Sequence, residues 1–481
     1  MPRRGTRRSH VAGPRARCEV VALSALLACS SSTTSSPRAS IEDALAIDPY
    51  VDNDPDPHVV DVQMVAAVGQ VEFLAGKVTE VWGYRDGARP GSQVSVPGPL
   101  LQAQQEDLVR VHFRNDLPWS TTVHWHGPRV PIAMDGSMSS QTSIVPGGTF
   151  DYEFVVRDAG TFWYHPHVLT DAEVSHGLYG PIVVRGGPSL EAQVDRVLVL
   201  SDAKLDPDGQ WLPSETRDVI EGRRGGTLLV NGRVSPRVPA LAGGRERWRL
   251  INASNARFYE LALAGHGLTV VGWDGGLLPA PYPVTTLRIA PGERYELVVE
   301  VQGEVGSIVA LSNVAPDLPG DVPTRAEVLD LELVGRAAAP PPLSATPWPT
   351  FVPPPVGELT TVRAISLSGP FERHGDIDFR LNDQRWPFTT PIKVRWGDTE
   401  VWQVQNTTER DEPFHIHGVF FAVLDRNGEK APVQGWKDTA VVPAGGSLSL
   451  AVTYEERGMW MFHSHILEHA EHGMMSDLMV E

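Results

Sequence analysis

Four His-X-His pairs constrain this chain more than any other feature. They are His124-Trp125-His126, His165-Pro166-His167, His415-Ile416-His417 and His463-Ser464-His465. In a strand, side chains at i and i+2 leave the same face, so each pair aims two imidazoles one way. Ser464 points the opposite way. A single pair is ordinary, two strand imidazoles with one face in water; eight of the chain's 16 histidines in two matched sets are not. Clustered histidines mark metal sites, and imidazole suits copper, zinc, iron and nickel. Eight rings exceed what one ion can use, so a cluster of about three ions is implied. Two pairs lie in the first third of the chain and two in the last, so the ends of the chain must meet.

An internal repeat gives the architecture. Glu106-Asp107 leads to Asn115, and His124 follows nine residues later; Gly397-Asp398 leads to Asn406, and His415 follows at the same offset. Val145-Pro146 leads to Gly160 and then His165, as Val442-Pro443 leads to Gly458 and then His463. The middle third keeps the outline in Gly243, Trp248, Asn252 and Ala290-Pro291-Gly292 but has no His-X-His pair. It reads as a ligand-free spacer holding the outer two units together. Short alternating strands broken by 45 Gly and 41 Pro indicate β-structure. The reading is all-β, with domains at 58–186, 190–335 and 358–481 and a Pro-rich linker at 336–357.

The motifs HWHG at 124–127, YHPH at 164–167, EPFHIHG at 412–418 and HSHILEHAEHGMM at 463–475 resemble those of the three-domain multicopper oxidases, the group of laccases, bilirubin oxidases and bacterial cuprous oxidases. The resemblance covers nearly everything after residue 58. It implies three consecutive cupredoxin-like β-sandwich domains with a trinuclear copper cluster between the first and third. By position, His124 and His415 would hold type 2 copper. His126, His165 and His465 would hold one type 3 copper, and His167, His417 and His463 the other. Asp135 matches an acid that helps proton delivery during dioxygen reduction. The second acid often found one residue after the histidine matched by His469 is Ala470 here, with Glu471 next to it.

At the type 1 site the chain departs from the family. The Cys whose thiolate binds blue copper is Ser464, and one type 1 His is Glu412; His469 and Met474 match the remaining ligands. The chain's two Cys are Cys18 and Cys29, so no other thiolate can serve. Blue copper needs two His and one Cys, and the degenerate set Glu412, Ser464, His469 and Met474 implies a type 1 copper-depleted protein.

Residues 1–28 carry six Arg and then a short apolar run, which reads as a secretory signal. Leu26-Leu27-Ala28-Cys29 resembles a lipoprotein cleavage site, giving membrane attachment through Cys29, with 29–57 as a flexible tether. An exported, periplasmic or envelope location follows. The net charge is −18, and residues 1–28 contribute +5, leaving the remainder near −23. This argues against nucleic acid as a partner. A monomer is expected.

Asp438, in Gly435-Trp436-Lys437-Asp438-Thr439, reads either as a turn acid or as a substrate contact. His176 and His472 fit no ligand position, and His112, His266 and His374 read as structural. Trp386, Trp396 and Trp402 read as core aromatics. Three functions remain open: an oxidoreductase using the cluster with dioxygen and a small-molecule or cuprous-ion reductant; a copper-binding protein without turnover; and a scaffold for protein contacts. Retention of all eight ligands puts the scaffold last, and Asp135 favours turnover over storage.

Overall fold

Alternation in the sequence becomes paired strands. Leu108–Asn115 buries Val109, Val111, Phe113 and Asn115 and turns Arg110, His112 and Arg114 outward, as a half-buried strand requires. The computed structural model describes residues 41, 44–318, 321, 324–338, 340, 342–343 and 348–481. Among these residues the strands form six sheets in three successive pairs. The first pair spans Val59–Leu74 to Gly180–Arg185, the middle one Val194–Ala203 to Glu327–Arg336, and the last Thr361–Arg373 to Met475–Val480. Each pair encloses its own apolar core, centred on Trp125 and Phe113, on Trp248 and Leu297, and on Trp402 and Phe462. The fold is thus all-β, three consecutive β-sandwiches.

The repeat seen in the sequence is built the same way three times. An opening strand runs parallel to a later one, and the pairing reaches the asparagine: Ala66 opposite Asn115, Leu200 opposite Asn252, Leu367 opposite Asn406. Each asparagine amide then donates to two backbone carbonyls and its oxygen accepts the N–H two residues on. Asn115 binds Trp119 O, Ile144 O and Leu117 N. Asn252 binds Arg257 O, Ile289 O and Ser254 N. Asn406 binds Arg410 O, Val442 O and Thr408 N. The side chain stands in for the sheet ladder where the strand gives way to the loop.

Two readings are corrected. Trp402 is fully buried, but Trp396 is exposed; its indole N–H donates to Glu455 O and its ring receives Arg457. Part of the expected tether is packed: Ile41, Leu45 and Tyr50 bury apolar surface and Arg196 donates to Ile41 O and Ala44 O, while residues 51–57 are mostly exposed. The secretory signal and Cys29 lie outside the described residues. In the linker, Leu343 and Trp348 pack against Leu190, Val271 and Val298. Among the described residues no helix is long and apolar enough to cross a membrane.

Candidate metal centre

Each outer sandwich brings its two histidine motifs together by strand pairing. His124 lies opposite His165 in one sheet, and His415 opposite His463 in another. The two sets then meet face to face. The His124 ring stacks on His417 and the His126 ring on His415, both with centroids 3.9 Å apart. His417 Nε2 is 3.1 Å, and His167 Nε2 3.3 Å, from His463 Nε2. Ligand nitrogens on one tetrahedral ion with bonds of about 2.0 Å sit about 3.3 Å apart.

The hydrogen bonds behind the rings decide which nitrogen each presents. His124 Nδ1–H donates to Asp135 O at 2.7 Å, His165 to Pro166 O at 2.9 Å, His415 to Asp438 O at 2.9 Å and His463 to Ser464 O at 2.7 Å. With the proton held on Nδ1, the Nε2 lone pair faces the centre. His126 is reversed: Nε2–H faces Thr439 Oγ1 at 3.1 Å and Asp438 Oδ1 at 3.3 Å, leaving Nδ1. The buried Nε2 of His124, His165 and His415, Nδ1 of His126 and both nitrogens of His465 have no hydrogen-bond partner. An unsatisfied buried polar atom costs about 1–3 kcal/mol, so this many in one place need a common ligand, and an all-imidazole set suits copper.

Ligand atoms come within 4.8 Å of one another in four groups: His124, His126 and His165; His124, His415 and His417; His167, His417 and His463; and His126, His415 and Asp438. The trio His167, His417 and His463 expected from the sequence is therefore assembled. His126, His165 and His465 form a triangle with centroids 5.0, 5.6 and 5.7 Å apart, and His124 and His415 lie 6.1 Å apart. Burial, reinforced by neighbouring rings, pushes His126, His165, His167, His463 and His465 well below the usual histidine range. Burial likewise lowers His415, and takes His417 down to about 3. The direction of these seven shifts favours the neutral ring, the form a metal ligand needs.

Asp135 sits at the seam. Its carbonyl takes the His124 proton, and both carboxylate oxygens lie 3.1 Å from His417 Nδ1. Burial pushes its carboxyl up, but His417 and His124 hold it well below the usual carboxylate range. The turn works only because residue 136 is glycine: φ is +79°, and an added Cβ would sit 1.9 Å from Val123 O.

Asp438 departs from both sequence readings. It is buried rather than an exposed turn acid, and its partners are His126, Thr439 and Arg294. Burial raises its carboxyl, but Arg294 overrides this and holds it well below the usual range. Arg294 and Thr439 were missed by sequence reasoning. Arg294 follows the repeated Ala290-Pro291-Gly292 turn, but nothing in that turn signals its reach.

The second pocket is closed by its own side chains. Ser464 Oγ–H donates to Glu412 Oε2 at 2.5 Å, and His469 Nδ1–H to Glu412 Oε1 at 2.9 Å. His469 Nε2 lies 3.1 Å from Ile220 O, and Thr408 Oγ1 adds a contact to Glu412 at 3.3 Å. Phe379 stacks on His469 at 3.9 Å, and Met474 is buried in the core of the last sandwich. His176 stacks on Trp82, and His472 Nδ1–H donates to Ile377 O; neither approaches the centre. His112 bridges Asp151 and Asp61 on the surface. His374 is exposed at a turn with φ +55° rather than structural. Near the ligand loops, burial raises Glu173 and Glu471 and pushes Glu468 up to about 8.

Three family models, each described as multicopper oxidase, match residues 69–189, 201–318 and 354–481. A laccase of Bacillus stratosphericus is 30% identical, over 82% of this chain and 90% of its own length. The cell division protein FtsP of Edwardsiella tarda is 31% identical, over 86% of this chain and 90% of its own. The crystal structure of a multi-copper oxidase from Pseudomonas thermotolerans superposes with a TM-score of 0.75 at 30% identity, covering 88% of this chain and 99% of that one.

Proposed function

Because the chain belongs to the multicopper oxidase family, we propose that it is an oxidoreductase acting on dioxygen through a trinuclear copper cluster, without type 1 blue copper. One contrast carries this reading. In the pocket between the outer sandwiches, buried imidazole nitrogens are left without partners. In the pocket of Glu412, Ser464 and His469, the polar atoms satisfy one another. The first arrangement suits metal ions, and in the second the carboxylate, hydroxyl and imidazole are already taken up by one another.

His124 and His415 would hold type 2 copper, and His126, His165, His465 and His167, His417, His463 the two type 3 coppers. Copper bound there would supply one-electron redox chemistry toward dioxygen. Asp135 orients His124 and His417, and its ionised carboxylate is placed to accept and return protons at the His417 side. Thr439 and Asp438 fix the His126 ring. With Ser464 in place of a thiolate, a small-molecule or cuprous-ion reductant would donate directly to the cluster, and ordinary laccase turnover is weak or absent. The Arg-rich residues 1–28 and Cys29 support an exported protein, lipid-anchored at the envelope.

Copper per chain, visible spectrum and oxygen uptake test the proposal together. It expects about three coppers, no intense blue band, and uptake with cuprous ion. A blue band, or a copper-free preparation after loading, would overturn it. The closed type 1 pocket also favours a second reading, a copper-binding protein without turnover, which the same preparation would reveal by full copper and no uptake.

A further inference from the structure

The middle sandwich supplies no histidine, yet its turn at residues 290–294 enters the centre. The Arg294 guanidinium is fully buried and touches all three sandwiches. It grips both carboxylate oxygens of Asp438, with Nη1 to Oδ1 at 2.7 Å. Its Nε–H donates to Thr161 O at 3.2 Å, on the strand that carries His165. Its own domain accepts through Gly292 O at 3.0 Å and Asp274 O at 3.2 Å. Asp438 passes the grip on: its carboxylate faces His126 Nε2 and its carbonyl takes the His415 proton. Two glycines make room for the arrangement. A Cβ on Gly127, next to His126, would lie 2.6 Å from Arg294 Nη2. A Cβ on Gly292 would lie 2.8 Å from the His465 ring, which has no hydrogen-bond partner of its own.

We propose that Arg294 is a positioning residue for the copper cluster: through Asp438 it sets the rings of His126 and His415, while the turn it stands on walls in His465. The middle sandwich is then a working part of the site rather than a spacer. A guanidinium is suited to this because its planar fork satisfies a carboxylate bidentately and still reaches three carbonyls. The inference rests on the reading of the eight histidines as copper ligands.

The test uses the full chain loaded with copper. Wild type, Arg294→Met, Arg294→Lys and Arg196→Met are compared by copper per chain and by the electron paramagnetic resonance of type 2 copper. Arg196 is a control: it forms a buried pair with Glu246 in the same sandwich, so its loss destabilises that sandwich without touching the centre. Arg294→Met is expected to weaken the copper held by His124 and His415 by about 10- to 100-fold, as loss of a partner behind a metal ligand does. Its residual type 2 signal shifts, and Arg294→Lys recovers part of both. Arg196→Met lowers the melting temperature but leaves copper content and signal as in wild type. Should Arg294→Met fail to accumulate, Arg294→Lys alone must show an altered type 2 signal. A full copper complement with an unchanged signal in the Arg294 variants, or the same change in Arg196→Met, overturns the role of Arg294. A wild-type chain that binds no copper overturns the copper reading itself.

Discussion

Glu412 fills its pocket with hydrogen bonds. Its two oxygens take protons from Ser464 and His469, so returning the sulfur alone does not return the site. Ser464→Cys is expected to give no intense blue absorption after copper loading, because Glu412 still holds His469. Ser464→Cys combined with Glu412→His restores the His2Cys set and should produce the band; a blue single variant would refute the blocking role of Glu412. The same network has a cost when broken. Glu412→Ala leaves His469 and Ser464 buried without their acceptor and should lower unfolding free energy by about 2–5 kcal/mol, measured by denaturant titration. At this scale the sequence was informative about identity, since Glu412, Ser464, His469 and Met474 could each be placed by their motifs. It was silent on Glu412 closing the pocket, because that depends on three side chains and one carbonyl from separate segments.

The repeated asparagines show how an element sets up the ligands. Asn406 ends a strand, ties the following loop to the backbone at Val442, and stands nine residues before His415. Asn406→Ala strips two carbonyls and one N–H of a buried partner and should cost about 2–4 kcal/mol. It should also loosen copper at His415 and His417, whereas Asn252→Ala, in the sandwich without histidines, costs similar stability while copper content falls less. Denaturation curves beside metal analysis separate the two effects. The spacing from asparagine to histidine was visible in the sequence because it is local. What the asparagine binds was not, since Val442 and Ile144 are distant in the chain.

On the proposed reading, the whole molecule couples folding to metal, because the histidines that meet at the centre come from both ends of the chain. Copper at about 1,000 times its dissociation constant should add about 4 kcal/mol to stability, seen as a melting temperature that rises on loading and falls on chelation. The copper-free protein should also be pH-sensitive in both directions. His126, His165, His167, His415, His417, His463 and His465 all have folded values below 6.5. Unfolding lets them take up protons, so stability is full above pH about 6.5 and drops as pH falls below it, by up to about 1.4 kcal/mol per pH unit for each ring. Glu468 acts oppositely: raised from 4.5 to about 8, it favours the fold at low pH and loses that contribution as pH climbs from 4.5 to 8. Melting temperature against pH should therefore peak between about pH 6 and 7, and copper should flatten the acid limb; a steady rise to pH 9 would contradict this. The amino-acid sequence by itself determined the strand alternation, the threefold repeat and the four histidine pairs, since each is written in spacings of a few residues. Only the tertiary structure decided which ring nitrogen faces the centre, that Glu412 seals the second pocket, and that Arg294 reaches the histidines from a sandwich with none. The Arg294 grip, the His126 ring and the Asp135–His417 contact depend on hydrogen bonds between residues more than a hundred positions apart, and the Glu412 seal on bonds spanning 52 and 57 positions; no local pattern encodes distances of that kind.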